Sequence, residues 1–233
     1  LLRQLVHGYK ALYKTEETFH KNVRELRYAQ SMTLSPETSE PTPRRYWTPS
    51  IKPDESLTPE DAVSGSRQHL LDSLRIRLRS DVPLAFCLSG GVDSAALVSI
   101  AAKEFGADLT TFSIIDDDER YDERENVMAT VRDVERPHHL IKIPKEEALP
   151  RLRKLIAYHD APVATITFYV HSLLTETVRK AGFRVTFSGT SADELFTGYY
   201  DHFLLHLNEI RDRPEYPEQL AHWRRHVEPC IRN

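Results

Sequence analysis

The run Val82-Pro83-Leu84-Ala85-Phe86-Cys87-Leu88, followed at once by Ser89-Gly90-Gly91-Val92-Asp93-Ser94, constrains the fold more than any other part of the chain. A short apolar run bounded by a polar turn suits a buried strand, and a Gly-Gly pair answers a backbone demand that other residues cannot meet. A helix is expected over 94–105, with Asp93 or Ser94 able to cap its start and Gly106 where a left-handed C-terminal cap belongs. The alternation then continues: strand 109–115, helix 122–134, strand 139–143, helices 145–158 and 169–181, and strand 184–187. Ahead of it, Leu70, Leu71, Leu74 and Leu78 recur at helical spacing and predict a helix over 60–79. Strands alternating with helices predict an α/β fold, a doubly wound parallel sheet of right-handed β-α-β units with helices on both faces. Ligands of such a sheet bind outside the carboxyl ends of its strands, and the polar turns 89–94 and 188–193 both lie at that edge.

Composition narrows the partners. Lys and Arg number 31 against 35 Asp and Glu, a formal charge of -4, so no basic field favours a nucleic acid backbone. Two cysteines, Cys87 and Cys230, build neither a disulfide framework nor a Cys-rich zinc site and fit a reducing, cytoplasmic compartment. No apolar stretch reaches the roughly 18 residues of a spanning helix, so no membrane partner is expected. Pro36, Pro41, Pro43, Pro49, Pro53 and Pro59 interrupt any helix or ladder and read as a linker. Residues 1–35 hold only short mixed runs such as Leu26 to Leu34, too small to enclose a core, and read as the end of something larger.

The turn 89–94 joins a strand to a helix N-terminus, where free N–H groups and the positive dipole end favour an anion. The two glycines permit close approach of phosphate oxygens, and Ser89 and Ser94 add hydroxyls. The Asp93 carboxylate would repel phosphate unless a cation such as Mg2+ lies between them, which points to a metal-bound polyphosphate. Turn chemistry alone leaves a second reading open, a tight turn with Asp93 capping the helix.

Ser89 to Ser94 resembles the SGGxDS pyrophosphate loop of the N-type ATP pyrophosphatases, which lacks the lysine of the other common phosphate loop. Ser188-Gly189-Thr190-Ser191-Ala192-Asp193-Glu194-Leu195-Phe196-Thr197-Gly198-Tyr199 resembles the SGxGxDElFxGY signature of the asparagine synthetase family. Thr111 to Ile114 is similar to that family's second strand, His138-His139 to the entry of its third, and Asp160-Ala161-Pro162 to its D-x-P. Thr18-Phe19, Asn22 to Leu26 and Tyr46-Trp47 resemble the last segment of its N-terminal glutaminase domain.

The resemblance implies a sheet of the adenine nucleotide alpha hydrolase type over 60–233, a linker at 49–59 and a glutaminase remnant at 1–48. It implies ATP cleavage between the α and β phosphates, a carboxylate acceptor such as aspartate activated as an acyl-adenylate, and ammonia from a glutaminase domain that then forms the amide. Asp93 and Asp193 match the catalytic carboxylates that hold Mg2+ on the pyrophosphate, and Ser89, Gly90, Gly91 and Ser94 match the phosphate cradle. Cys87, Leu88, Ile114, Ser188 and Gly189 match positions around the adenosine, and a homodimer is the expected assembly. The glutaminase nucleophile would be an N-terminal cysteine, whereas residue 1 is leucine, and the family usually continues past the second signature; a truncation at both ends is therefore expected.

Thr190 stands where asparagine synthetases usually place an acidic residue, and 163–169 lacks the arginine associated with aspartate-using members. An acceptor such as a sugar uronic acid is the alternative substrate, as in the O-antigen amidotransferases. A non-catalytic nucleotide-binding module is the alternative from another class. A sulfur-transferring tRNA-modifying relative is disfavoured by the two unpaired cysteines and the acidic balance. The acidic run Asp116 to Glu119 with Asp122, Glu123 and Glu125 reads as a solvated loop entering a helix. His202 and His206 stand at zinc-ligand spacing with no third ligand evident, and Tyr199 and Tyr200 either line the pocket mouth or simply pack.

Overall fold

The computed structural model describes residues 2–12, 14–37, 42–54, 56–116, 118 and 122–231. Leu1, Pro41, Asp117, Glu119 and Asn233 lie outside the described residues. In chain order the elements are helix α1 (Leu2–His7), strands β1 (Gln30–Ser31) and β2 (Arg44–Arg45), helix α2 (Pro59–Arg77), strand β3 (Leu84–Cys87) and helix α3 (Val92–Ser99). Strand β4 (Leu109–Ile115), helix α4 (Arg124–Val134), strand β5 (His138–Lys142) and helices α5 (Ala148–His159) and α6 (Thr167–Lys180) follow. Strand β6 (Val185–Phe187) and helices α7 (Ala192–Phe196), α8 (Tyr200–Glu209) and α9 (Tyr216–His226) complete the order.

The chain divides into two compact units, Leu1–Ser73 with Lys142–Thr177, and Leu74–Ile141 with Val178–Asn233. In the first, β1 pairs antiparallel with β2, Gln30 opposite Arg45. Helix α5 ends at Asp160, whose φ of 48° stops the helix and whose carbonyl accepts a hydrogen bond from His20 Nε2 at 3.1 Å. Among the described residues none of the hydrophobic side chains of 2–73 is buried.

The second unit holds a four-stranded sheet in the order β5-β4-β3-β6. Strand β3 pairs in parallel with β4 on one side and β6 on the other, with Phe86 opposite both Thr111 and Phe187. Central parallel strands are covered on both faces and read as unbroken apolar runs, which is why Leu84, Ala85 and Phe86 are all buried. The Phe86 and Phe187 rings stack 4.5 Å apart, and Leu74, Leu88, Val98, Ala101, Leu109, Val127 and Val134 close the core around them.

The chain runs outward from β3 to β4 to β5 and then returns to the opposite side of β3 as β6. That reversal is the doubly wound pattern, and it opens a crevice at the carboxyl ends of β3 and β6. Two details differ from expectation. Helix α3 starts at Val92 and its last turn, Ile100–Glu104, widens to π geometry before Gly106 ends it at φ 59°. The expected helix start at 145 is a 3-10 turn, Lys145–Glu147, and α5 begins at Ala148.

Candidate functional site

The turn that leaves β3 is held by its own two serines. Ser89 N–H donates to Ser94 Oγ at 3.0 Å, the two hydroxyl oxygens lie 2.9 Å apart, and Gly91 N–H donates to Ser89 Oγ at 3.2 Å. Ser94 Oγ is also 3.1 Å from the Gly91 carbonyl and 6 % of the residue is exposed, so Ser94 fastens the loop from inside. This corrects the expected cap: Gly91 is the N-cap residue, with φ -81° and ψ 152°, and no side chain caps the helix. Asp93 and Ser94 lie two and three residues past the cap position, inside the first turn. Asp93 therefore keeps its carboxylate for another task, and the amides of Val92 and Asp93, first in the helix, have no intrahelical acceptor.

The second signature follows β6 and meets this loop. A Cβ built on Gly189 would lie 2.9 Å from the Ser94 amide nitrogen and 3.1 Å from Asp93 Cβ. Only glycine allows that approach, and two motifs about 95 residues apart in sequence are thereby joined at one sheet edge. Ser188 and Thr190 share a hydroxyl hydrogen bond of 2.7 Å. Asp193 lies in the first turn of α7, its backbone carbonyl accepting from Gly198 N–H at 3.1 Å, and its carboxylate fills the space a side chain at Gly198 would need.

The two carboxylates feel each other. Partial burial, and secondarily the charge of Asp193, raise the Asp93 carboxyl above its ordinary 3.8. A pair of acids whose charges oppose each other, beside the Val92 and Asp93 amides at the start of α3, suits a divalent cation with oxygen ligands, and Asp93 and Asp193 could hold Mg2+ there. The donor set and the close-packed glycine fit such an ion on a polyphosphate.

The expected adenosine positions lie on, or just past, strands β3, β4 and β6. Leu88 is buried, its N–H donating to the Phe112 carbonyl at 2.9 Å and its carbonyl accepting from Ser113 Oγ. Ile114 is half-buried on β4, and burial pushes the Cys87 thiol up to about 11. Glu123, expected in a solvated loop, is exposed, but its Oε2 accepts the Gly90 amide at 3.0 Å. Tyr199 and Tyr200 are anchored through their hydroxyls, to Glu194 at 2.8 Å and to the Cys230 carbonyl at 3.0 Å. His202 stacks edgewise on Tyr199, and among the described residues no group of three or more His, Cys, Asp or Glu is placed to hold a metal. A cavity of about 330 Å3 in the first unit is lined by Arg3, His20, His159 and Phe168 together with Thr18, Phe19, Ala161 and Pro162, and contains no residue of 89–94 or 188–199.

A doubly wound sheet with a serine- and glycine-rich loop facing paired carboxylates defines a nucleotide-binding domain of the pyrophosphate-loop class. Residues 65–229 match the asparagine synthase family model, and the chain belongs to that family. It is 27 % identical over 199 residues to amidase chyE of Penicillium rubens, covering 78 % of this chain and 30 % of the amidase. It is 31 % identical over 183 residues to the glutamine-hydrolyzing asparagine synthetase 1 of Bacillus subtilis, covering 78 % of this chain and 28 % of the synthetase. The chain thus spans less than a third of the length of either relative. Among solved structures, an NH3-dependent NAD synthetase from Campylobacter jejuni aligns with a TM-score of 0.40 and 14 % identity, over 58 % of this chain and 60 % of that one.

Proposed function

We propose that this chain carries the synthetase part of an ATP-dependent, AMP-forming amide ligase. A small carboxylic acid is activated as an acyl-adenylate with release of pyrophosphate, and ammonia then displaces AMP. The observation that carries this reading is the contact of Gly189 with Asp93 and Ser94, which puts the loop and the second carboxylate at one edge.

In this reading the Val92 and Asp93 amides and the positive end of α3 hold the charge that gathers on the departing pyrophosphate. Ser94 keeps the loop in that shape from beneath, while Cys87, Leu88, Ile114, Ser188 and Gly189 flank the adenosine. Mg2+ held by Asp93 and Asp193 would supply charge neutralisation on the phosphates. Residues 1–48 are then the end of a glutaminase domain that supplies ammonia, 49–59 a linker and 60–233 the synthetase domain, in a homodimer. The hydroxyl of Thr190, tied to Ser188, offers the acceptor no acid, which favours a carboxylate other than aspartate, such as a sugar uronic acid.

The test is release of pyrophosphate and AMP from ATP, Mg2+ and ammonium with a panel of aspartate and uronic acids, with Asp193→Ala as control. Release that requires one acid and is lost in the control is the expected result. ATP binding without release for any acid would favour the binding-module reading instead.

A further inference from the structure

Glu123 belongs to neither motif, yet its side chain reaches the pyrophosphate loop. Its Oε2 takes the Gly90 amide at 3.0 Å, across 33 positions of sequence. The contact is close along the whole side chain: a Cβ on Gly90 would lie 2.6 Å from Glu123 Cβ and 3.2 Å from its Cγ and Cδ. Glu123 flanks the start of α4 but makes no side-chain cap there; the Arg124 amide is taken by Asp122 Oδ1 at 2.9 Å. The carboxylate is thus directed at the loop and away from its own helix.

A backbone amide that receives a carboxylate oxygen at this distance presents the same donor to a phosphate oxygen. Resting on the nucleotide-site reading above, we propose that Glu123 is a built-in competitor for the pyrophosphate site. Without nucleotide its carboxylate holds the Gly90 amide and keeps the loop shaped. When the polyphosphate arrives the side chain must swing out, because two anions cannot share one donor. Nothing in the core resists that motion: Glu123 is exposed, and the first buried residue of α4 is Val127. The start of α4 is thereby coupled to occupancy of the site.

The experiment titrates Mg-pyrophosphate into the chain and into Glu123→Ala, following heat and the Gly90 amide resonance. Glu125→Ala, an exposed acid on the same helix, controls for the change in overall charge. Loss of a charged competitor for one amide predicts binding tighter by about fivefold to tenfold in Glu123→Ala. The Gly90 resonance should shift in that variant before any ligand is added, and Glu125→Ala should bind like the parent. Unchanged or weaker binding in Glu123→Ala, while the parent still binds, overturns the competitor role and leaves the site reading standing. No binding by parent or variant overturns the nucleotide site itself, and the competitor with it.

Discussion

Gly189 and Ser94 touch backbone to backbone: a methyl group on the first would lie 2.9 Å from the amide nitrogen of the second. Gly189→Ala must push α3 away from the turn after β6, because the obstructing atoms are backbone and Asp93 Cβ. Overpacking of this kind costs about 1–3 kcal/mol. The expected outcome is a folded chain with a lower urea midpoint and at least about tenfold weaker Mg-ATP binding, since a shift of an ångström disrupts a preorganised site. Retained affinity would show that the two motifs need not abut.

The coupling of Asp93 to Asp193 has a defined sign. Because the folded Asp93 carboxyl is raised above 3.8, the folded chain holds its proton longer than the unfolded chain. Stability from this group therefore falls as pH rises from about 3.8 through the raised folded value, and is level above it. Asp193→Asn removes the second cause and leaves burial, the first. The Asp93 carboxyl resonance should then titrate at lower pH than in the parent, without returning fully to 3.8. An unmoved titration would mean the two acids are insulated from each other.

Ser191 adopts φ 81° and ψ 5°, in the left-handed region, at a position where the signature has glycine. An L side chain there costs roughly 1–2 kcal/mol, partly offset by the greater freedom glycine restores to the unfolded chain. Ser191→Gly should therefore stabilise the fold by about 0.5–1 kcal/mol, seen as a rise of roughly 1–4 °C in melting temperature. A fall in melting temperature would mean the serine hydroxyl contributes more than the strain removes.

The two cysteines should separate by reactivity. Cys87 lies in β3 with its thiol pushed up to about 11, whereas Cys230 is exposed. Since the thiolate is the nucleophile, iodoacetamide at about pH 8 should label Cys230 alone, and Cys87 only after denaturation. Peptide mapping by mass spectrometry reads both sites.

What was legible beforehand followed from periodicity. Strand β3 is covered on both faces, so its residues form an uninterrupted apolar run, and β4 keeps the predicted bounds of 109–115. Gly106 ends the helix after β3 as expected because a left-handed residue there has no steric alternative. Less legible were features set by contacts distant in sequence. The position of Ser94 beneath the loop depends on hydroxyl geometry that a capping rule does not contain. Glu123 reads as one acid among several until the sheet brings its helix beside Gly90. Ser191 shows its strain only once the turn it belongs to has a conformation.

The pairing of β3 with β6 sets when this site can come into being. Leu84 is opposite Val185, 101 residues later in the chain, so the strands that carry the two motifs are among the last partners to meet. Closing so long a loop is entropically costly and is repaid only when both strands are present. During synthesis the first loop emerges from the ribosome well before the turn bearing Asp193. A growing chain therefore cannot assemble the two motifs at one edge until β6 has been made, and any stall before residue 185 leaves β3 with an open strand edge.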